Sequence, residues 1–374
     1  MAVLLVGLNL RPAMSSLSPL LETIRGDLGL SHAEIGLLTT IPVLCMGLFP
    51  ILADRVAARL GTERALLCAL GLIALGTGAR LAGPSAALLF GTALAAGIGI
   101  GAAQTLVPAV VKRAFGSRGP AVMGLYAGVM TAGSGLAAGM TATLAQALGA
   151  WPPALAAWCL PALAALVLWA PAARSIRSSP GPSEPGLSLP WRSTTAWRIS
   201  LFAAGASALF WSVLTWLAPA YRELGWSAPD SGLLLAVNAT AQIATTLLVS
   251  ALAGRSTDRR RWLGIGLAAA ISGLAGVALV PTAAPWLWAS VSGAAVGLLF
   301  PIALMLPLDF AADPGAVRRL AAMSLSVGYL LAALAPLLLG WLRGVTGSYQ
   351  VPFLVLVVLC LAMLVEVGRL RPRA

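Results

Sequence analysis

The chain has 374 residues, of which 59% are hydrophobic and only 10% charged, with a mean hydropathy of +0.92. A soluble domain is about one-quarter charged, so this inventory cannot coat a water-facing surface and the implied solvent is a lipid bilayer. The net charge of +12 sits in short clusters between long apolar runs; this argues against a nucleic-acid surface and for a topology signal.

About 20 apolar residues cross the hydrocarbon core. On that measure twelve spans are predicted, over 2–22, 32–53, 64–83, 85–110, 119–147, 152–172, 199–221, 230–253, 263–282, 285–308, 320–342 and 349–368. The first run lacks a basic preceding stretch and a small-residue cleavage site, so it reads as a span and not as a cleaved signal. One long polar interruption, rich in Ser and Pro between Ser178 and Pro185, reads as a flexible linker. It divides the chain into an expected N-terminal six-helix bundle (1–173), a linker (174–198) and a C-terminal six-helix bundle (199–374).

Each even-numbered span is followed by a basic cluster: Arg55, Arg59 and Arg64; Lys112, Arg113 and Arg118; Arg174 to Arg198; Arg255 and Arg259 to Arg261; Arg318 and Arg319; and Arg369, Arg371 and Arg373. The other side holds only Arg25, Arg80, Arg222 and Arg343. The positive-inside rule therefore predicts a multi-pass protein of the cytoplasmic (inner) membrane with both termini and the linker in the cytoplasm. The halves echo one another: Asp54-Arg55 returns as Asp258-Arg259, and Gly101 before Pro108 returns as Gly297 before Pro301. Such a parallel repeat suits a secondary transporter.

Arg11 stands in the first span, where a cation is costly and belongs against protein or a watery cavity. On a regular helix Arg11, Ser15, Ser18 and Glu22 form one polar stripe. The functional reading is a guanidinium whose planar donor fork binds an anionic or strongly dipolar solute; the structural reading is an Arg satisfied by neighbouring carbonyls. Asn9 points away from that stripe unless Pro12 bends the helix. Gln104 and Thr105 lie deep in span four. Ser207, Trp211 and Thr215, with Phe210 beside them, form a comparable face in span seven. Candidate ligands of a small planar solute are thus Arg11, Asn9, Ser15, Gln104, Trp211 and Thr215, while Asn238, Gln242 and Thr245 in span eight read as packing. Four dispersed cysteines and the single His32 suggest neither a disulfide framework, a metal site nor an enzyme, and no cofactor is expected. No Asp or Glu occupies the middle of a span; proton coupling is left between none, the solute's own proton, and Glu22.

Four stretches stand out: Asn9-Leu10-Arg11-Pro12-Ala13 with Ser18-Pro19-Leu20-Leu21; residues 37–45, Leu-Leu-Thr-Thr-Ile-Pro-Val-Leu-Cys; Pro108 to Arg113; and Leu214 to Pro219. They resemble the major facilitator superfamily, and within it the cyanate permease / 2-nitroimidazole transporter (CynX/NimT) family. The resemblance implies an all-α fold of twelve transmembrane helices in two bundles, with spans one, four, seven and ten around a central cavity. It also implies a gating role at the cytoplasmic ends for Asp54, Arg55 and Arg59, with Asp258 and Arg259 as the second copy. Pro50 and Ala57 replace the two glycines of the superfamily's loop motif, Ala58 replaces its first basic residue, and Gln104 stands where the family often has Asn. The expected function is secondary active or facilitative transport, by alternating access, of a small anionic or polar planar solute (cyanate-, nitrate/nitrite- or nitroimidazole-like). The expected partners are that solute and the bilayer, for a protein functional as a monomer. Efflux of amphipathic compounds and a non-transporting receptor or scaffold are the alternative readings.

Overall fold

The computed structural model describes residues 2–115, 119–175, 189–252, 259–310 and 314–369. These residues are helical almost throughout. Nine helices among them are long and apolar enough to cross a bilayer. The twelve-span pattern is completed by a broken first span, by His32–Leu48 as span two with Pro50–Leu60 continuing it, and by Gly119–Leu148 as span five. The remaining spans are Thr62–Gly78 (three), Ala86–Phe115 (four), Trp151–Ala156 with Cys159–Ser175 (six), Thr194–Glu223 (seven), Ala228–Leu252 (eight), Arg260–Leu279 (nine), Pro285–Phe310 (ten), Pro314–Thr346 (eleven) and Gln350–Arg369 (twelve). Counting spans puts both chain ends on one face, called here the termini face.

Local chemistry sets the boundaries. Ser31 and Glu34 form a reciprocal capping box that starts span two, satisfying helix-end amides that have no intrahelical partner. Span seven starts earlier than expected, inside the linker, because the Ser193 hydroxyl accepts from the Ala196 amide as an N-cap. Gly29, with φ at 64°, closes the last turn of span one in a backbone region that side chains disfavour.

The first span departs most from expectation. It runs as Ala2–Asn9, Pro12–Ser15, a 3₁₀ turn Ser18–Leu20 and Leu21–Leu28. Pro12 and Pro19 each lack the amide that would continue an α-helix. The polar residues read as one stripe on a continuous helix therefore diverge.

Close packing repeats between the halves at a constant offset in sequence. Gly97 and Gly101 lie against the span-two backbone at Pro42 and at Cys45 and Met46; Gly293 and Gly297 lie against the span-eight backbone at Asn238 and Gln242. The same offset carries the ion pair Glu63–Arg113 onto Arg259–Asp309 with the signs exchanged. Both pairs tie a span's start to the next span's end on the termini face.

Contacts between the halves run along spans two and eleven, and spans five and eight. On the face opposite the termini they are tight: Gly36 meets the backbone at Pro336 and Leu337, Gly340 meets the His32 carbonyl, and Gly232 meets that of Ala138. Hydrogen bonds join the halves as well. Thr40 donates to the Ala333 carbonyl at 2.8 Å, Ser18 to that of Thr215 at 3.1 Å, and the Tyr349 hydroxyl to Glu22 at 2.9 Å.

Candidate substrate site

Arg11 sits at the break in span one, immediately before the short helix Pro12–Ser15, and only 6% of it is exposed. Its carbonyl accepts from the amides of Met14 and Ser15 and from the Ser15 hydroxyl, which fixes the backbone from which the side chain departs. The guanidinium crosses the interface between halves. Its Nη1 donates to Thr131 Oγ1 at 3.4 Å, and its carbon lies 4.2 Å from the centre of the Phe210 ring in span seven. A cation over an aromatic face is attracted by the ring quadrupole, but no carboxylate among the described residues shares its surroundings. Its Nε has no hydrogen-bond partner among the described residues. Tyr126 and Tyr329 lie within electrostatic reach, and the Tyr126 hydroxyl is also buried without a partner. The result is a desolvated cation with an unused donor, faced by hydroxyls and aromatic rings. Such a constellation can hold a small anion or a strong dipole.

Trp211 packs its edge on Phe210 at 4.7 Å between ring centres, and Phe210 approaches Phe300 of span ten at 6.4 Å. Span seven is almost wholly enclosed. Phe210, Val213 and Leu214 line a narrow cavity of about 10 Å³, roughly one water molecule, together with Ser134, Asn238 and Gln242.

The other predicted ligands divide. Thr215 is buried in span seven and supplies its carbonyl to Ser18. Gln104 is half-buried, its amide 3.9 Å from the Met130 sulfur. Ser15 is spent locally on the Arg11 carbonyl. Asn9 turns away from Arg11, donating to the Leu5 and Pro161 carbonyls at 2.6 and 3.0 Å; it fastens span one to span six. Asn238 likewise reaches Ala289 and Ser292 of span ten.

Of the predicted gating set, Arg55 and Arg59 are exposed on Pro50–Leu60. The Asp54 side chain and Asp258 lie outside the described residues. Arg259 grips Asp309 with two nitrogens, at 2.5 and 3.2 Å, within its own half. The sequence reading missed the buried Glu63 with Arg113, and missed Tyr126, Tyr329 and Thr131 around Arg11. One signal for the tyrosines was available: the chain has only four, and Tyr126 and Tyr329, like Tyr221, fall inside spans. Among the described residues no group of His, Cys, Asp or Glu is placed to hold a metal ion.

Comparison with known proteins bears on this arrangement. The chain is 36% identical over 350 residues to the cyanate transport protein CynX of Escherichia coli (strain K12), covering 93% of this chain and 91% of that protein. It is 33% identical over 372 residues to the 2-nitroimidazole transporter of the same organism, covering 96% and 92%. Among solved structures it superposes on the nucleoside transporter NupG with a TM-score of 0.78 at 11% identity, covering 98% of each chain, a likeness of fold alone. The family model of the Major Facilitator Superfamily matches residues 3–333. With its twelve spans, its repeated halves and these relatives, the chain belongs to the Major Facilitator Superfamily of membrane transporters.

Proposed function

We propose that the protein carries a small anionic or polar planar solute across the membrane by alternating access, with Arg11 as its principal ligand. The observation that carries this reading is the buried guanidinium, with no acid beside it and no partner for Nε among the described residues. Desolvating that cation is costly, and an entering anion offsets the cost by pairing with it. Thr131, Phe210 and Trp211 shape the wall, with Gln104 on span four and Thr215 on span seven as further candidate ligands. The similar transporters are named for cyanate and 2-nitroimidazole, both small and strongly polar, which supports the same class here. The moving bodies are residues 1–173 and 199–374, joined by the linker 174–198. Asp54, Arg55 and Arg59, with Asp258 and Arg259, govern closure at the termini face, which the arginine distribution places in the cytoplasm.

The test is ligand-induced thermal stabilisation and proteoliposome uptake for wild type, Arg11→Ala and Arg11→Lys, with cyanate, nitrate, nitrite, short carboxylates and 2-nitroimidazole. Hydrogen bonds to a charged group contribute about 1.5–3 kcal/mol. Arg11→Ala should therefore weaken binding roughly 10- to 150-fold, and Arg11→Lys should lie between because it keeps the charge without the fork. Correctly inserted variants that bind and carry every solute like wild type would remove Arg11 from the site.

A further inference from the structure

A second arginine is enclosed as completely as Arg11. Arg80 sits on the 3₁₀ turn Ala79–Ala82 that ends span three, and only 2% of it is exposed. By sequence it belonged to the scattered arginines of the odd-side connections, where an exposed residue is expected. Instead its Nη1 donates to the Ala13 carbonyl of span one at 3.1 Å, and its Nε to Thr92 Oγ1 at 3.4 Å. No ion pair found among the described residues includes it.

The Ala13 carbonyl is free for a definite reason. In a continuous helix it would accept the amide of Leu17; here that amide goes to Met14 at 3.1 Å. On the other side of Arg11, Pro12 has no amide to give the Leu8 carbonyl. That carbonyl rests against Gly133 of span five, where a side chain would not fit. The break is thus clasped twice, by span five before Arg11 and by Arg80 after it. A backbone carbonyl released in hydrocarbon recaptures an amide if it can. Without Arg80, regular winding between Pro12 and Leu17 becomes the favoured arrangement. Each residue of a helix advances the azimuth by roughly 100°, so rewinding redirects the neighbouring side chains.

The other half supplies the contrast. At the offset that carries Glu63 onto Arg259, Pro12 and Pro19 fall on Ala208 and Thr215, and span seven is one unbroken helix. Arg80 and Thr92 fall on Gly276 and Trp288, which pack against each other without charge. The buried arginine accompanies the broken span and is absent where the span is continuous.

We propose that Arg80 is a positioning residue of the transport site: it holds span one open at Ala13 so that residue 11 faces the cavity between the halves. The proposal rests on the site reading above but is tested without a solute. In protein whose four cysteines, Cys45, Cys68, Cys159 and Cys360, are replaced by alanine, Arg11→Cys is introduced. Its modification by the small anionic reagent methanethiosulfonate ethylsulfonate is then timed, with Arg80 intact and with Arg80→Ala, Arg80→Gln and Arg80→Lys. The rate per folded molecule should fall about tenfold in Arg80→Ala, as it does when the reactive arrangement drops to about 10% of the population. Arg80→Lys and Arg80→Gln, each retaining a donor for the Ala13 carbonyl, should recover part of it; they also serve if the alanine variant fails to fold. A merely structural Arg80 would lower yield and melting temperature and leave this rate unchanged, and that result overturns the proposal. So does an unreactive Arg11→Cys with Arg80 intact. If Arg11→Ala leaves solute binding untouched while the labelling follows Arg80, the solute assignment fails and the positioning role stands.

Discussion

Tyr349→Phe isolates one bond between the halves. The hydroxyl donates to Glu22 Oε1 at 2.9 Å, joining the span-twelve entrance to the end of span one. Glu22 is also held by Arg25 at 2.8 Å, with His32 at 3.7 Å; on the other side Arg343 lies 5.2 Å from the centre of the Tyr349 ring and pairs with Glu223 at 3.0 Å. Burial, with the charge of Glu22 and their hydrogen bond, pushes the phenol well above the usual tyrosine range, so the donor keeps its proton at working pH. Phenylalanine preserves the ring and its neighbours Trp216, at 5.8 Å, and His32, at 6.2 Å. What is lost is a hydrogen bond to a carboxylate, about 1.5–3 kcal/mol. A bond made only in the closed arrangement shifts the equilibrium by that amount, roughly 10- to 150-fold toward opening at the face opposite the termini. The assay is alkylation of a cysteine placed at Val213, a cavity residue that is 2% exposed, by an impermeant thiol reagent added from that face. While the open form is the minor one, the rate rises by the same factor. An unchanged rate in folded Tyr349→Phe protein would refute the assignment of this bond as a latch.

Two further outcomes follow from the repeated packing. Gly293→Ala places a methyl against the Asn238 carbonyl and should cost about 1–3 kcal/mol through overpacking, whereas Gly264→Ala meets nothing within 4 Å and should be neutral or slightly stabilising. Equal losses of melting temperature in detergent would contradict that difference. Glu63→Arg or Arg113→Glu alone should destabilise by about 3 kcal/mol, the low end for a buried pair because Arg113 is 45% exposed. The double exchange reproduces the polarity of Arg259–Asp309 and should recover most of the loss; a double variant that melts no higher than either single one would show that orientation matters beyond sign.

Hydropathy made the span count legible, because a bilayer leaves no other place for runs of that length, and Arg11 was legible because a cation in such a run is conspicuous. What escaped was what depends on three-dimensional adjacency. Asn9 points away from Arg11 on a regular helix, and the break at Pro12 does not bring it round: its amide serves Pro161 on span six. Glu63 falls just outside the third predicted span, 64–83, and drew no reading; only folding brings Arg113 to it and buries it. Arg80 resembled the other scattered arginines of the same side, Arg25, Arg222 and Arg343, and its destination is a carbonyl that exists as an acceptor only because span one is broken. The Asp54–Asp258 echo was visible in sequence, but the repeat that governs packing has a different offset, carried by Gly97, Gly101, Gly293 and Gly297, whose small size is needed where helices touch.

The two halves share a scaffold but not a chemistry, and that asymmetry bears on how binding is coupled to movement. At the packing offset Arg11 corresponds to Ser207 and Phe210 to Met14, so one half contributes the cation and the other the ring beneath it. Under the proposed alternating access, the 4.2 Å approach of guanidinium to Phe210 is a contact between the two moving bodies, and its strength would differ between arrangements. A ligand shifts such an equilibrium only through unequal interaction with its states. A solute that engages the free Nε of Arg11 while touching Phe210 and Trp211 meets that condition, since it bridges a span-one residue to span seven. A solute held by either half alone would be bound without urging the halves to move. On the proposed function, a single cation opposite an aromatic wall, in place of two symmetric cations, would make occupancy and rearrangement one event.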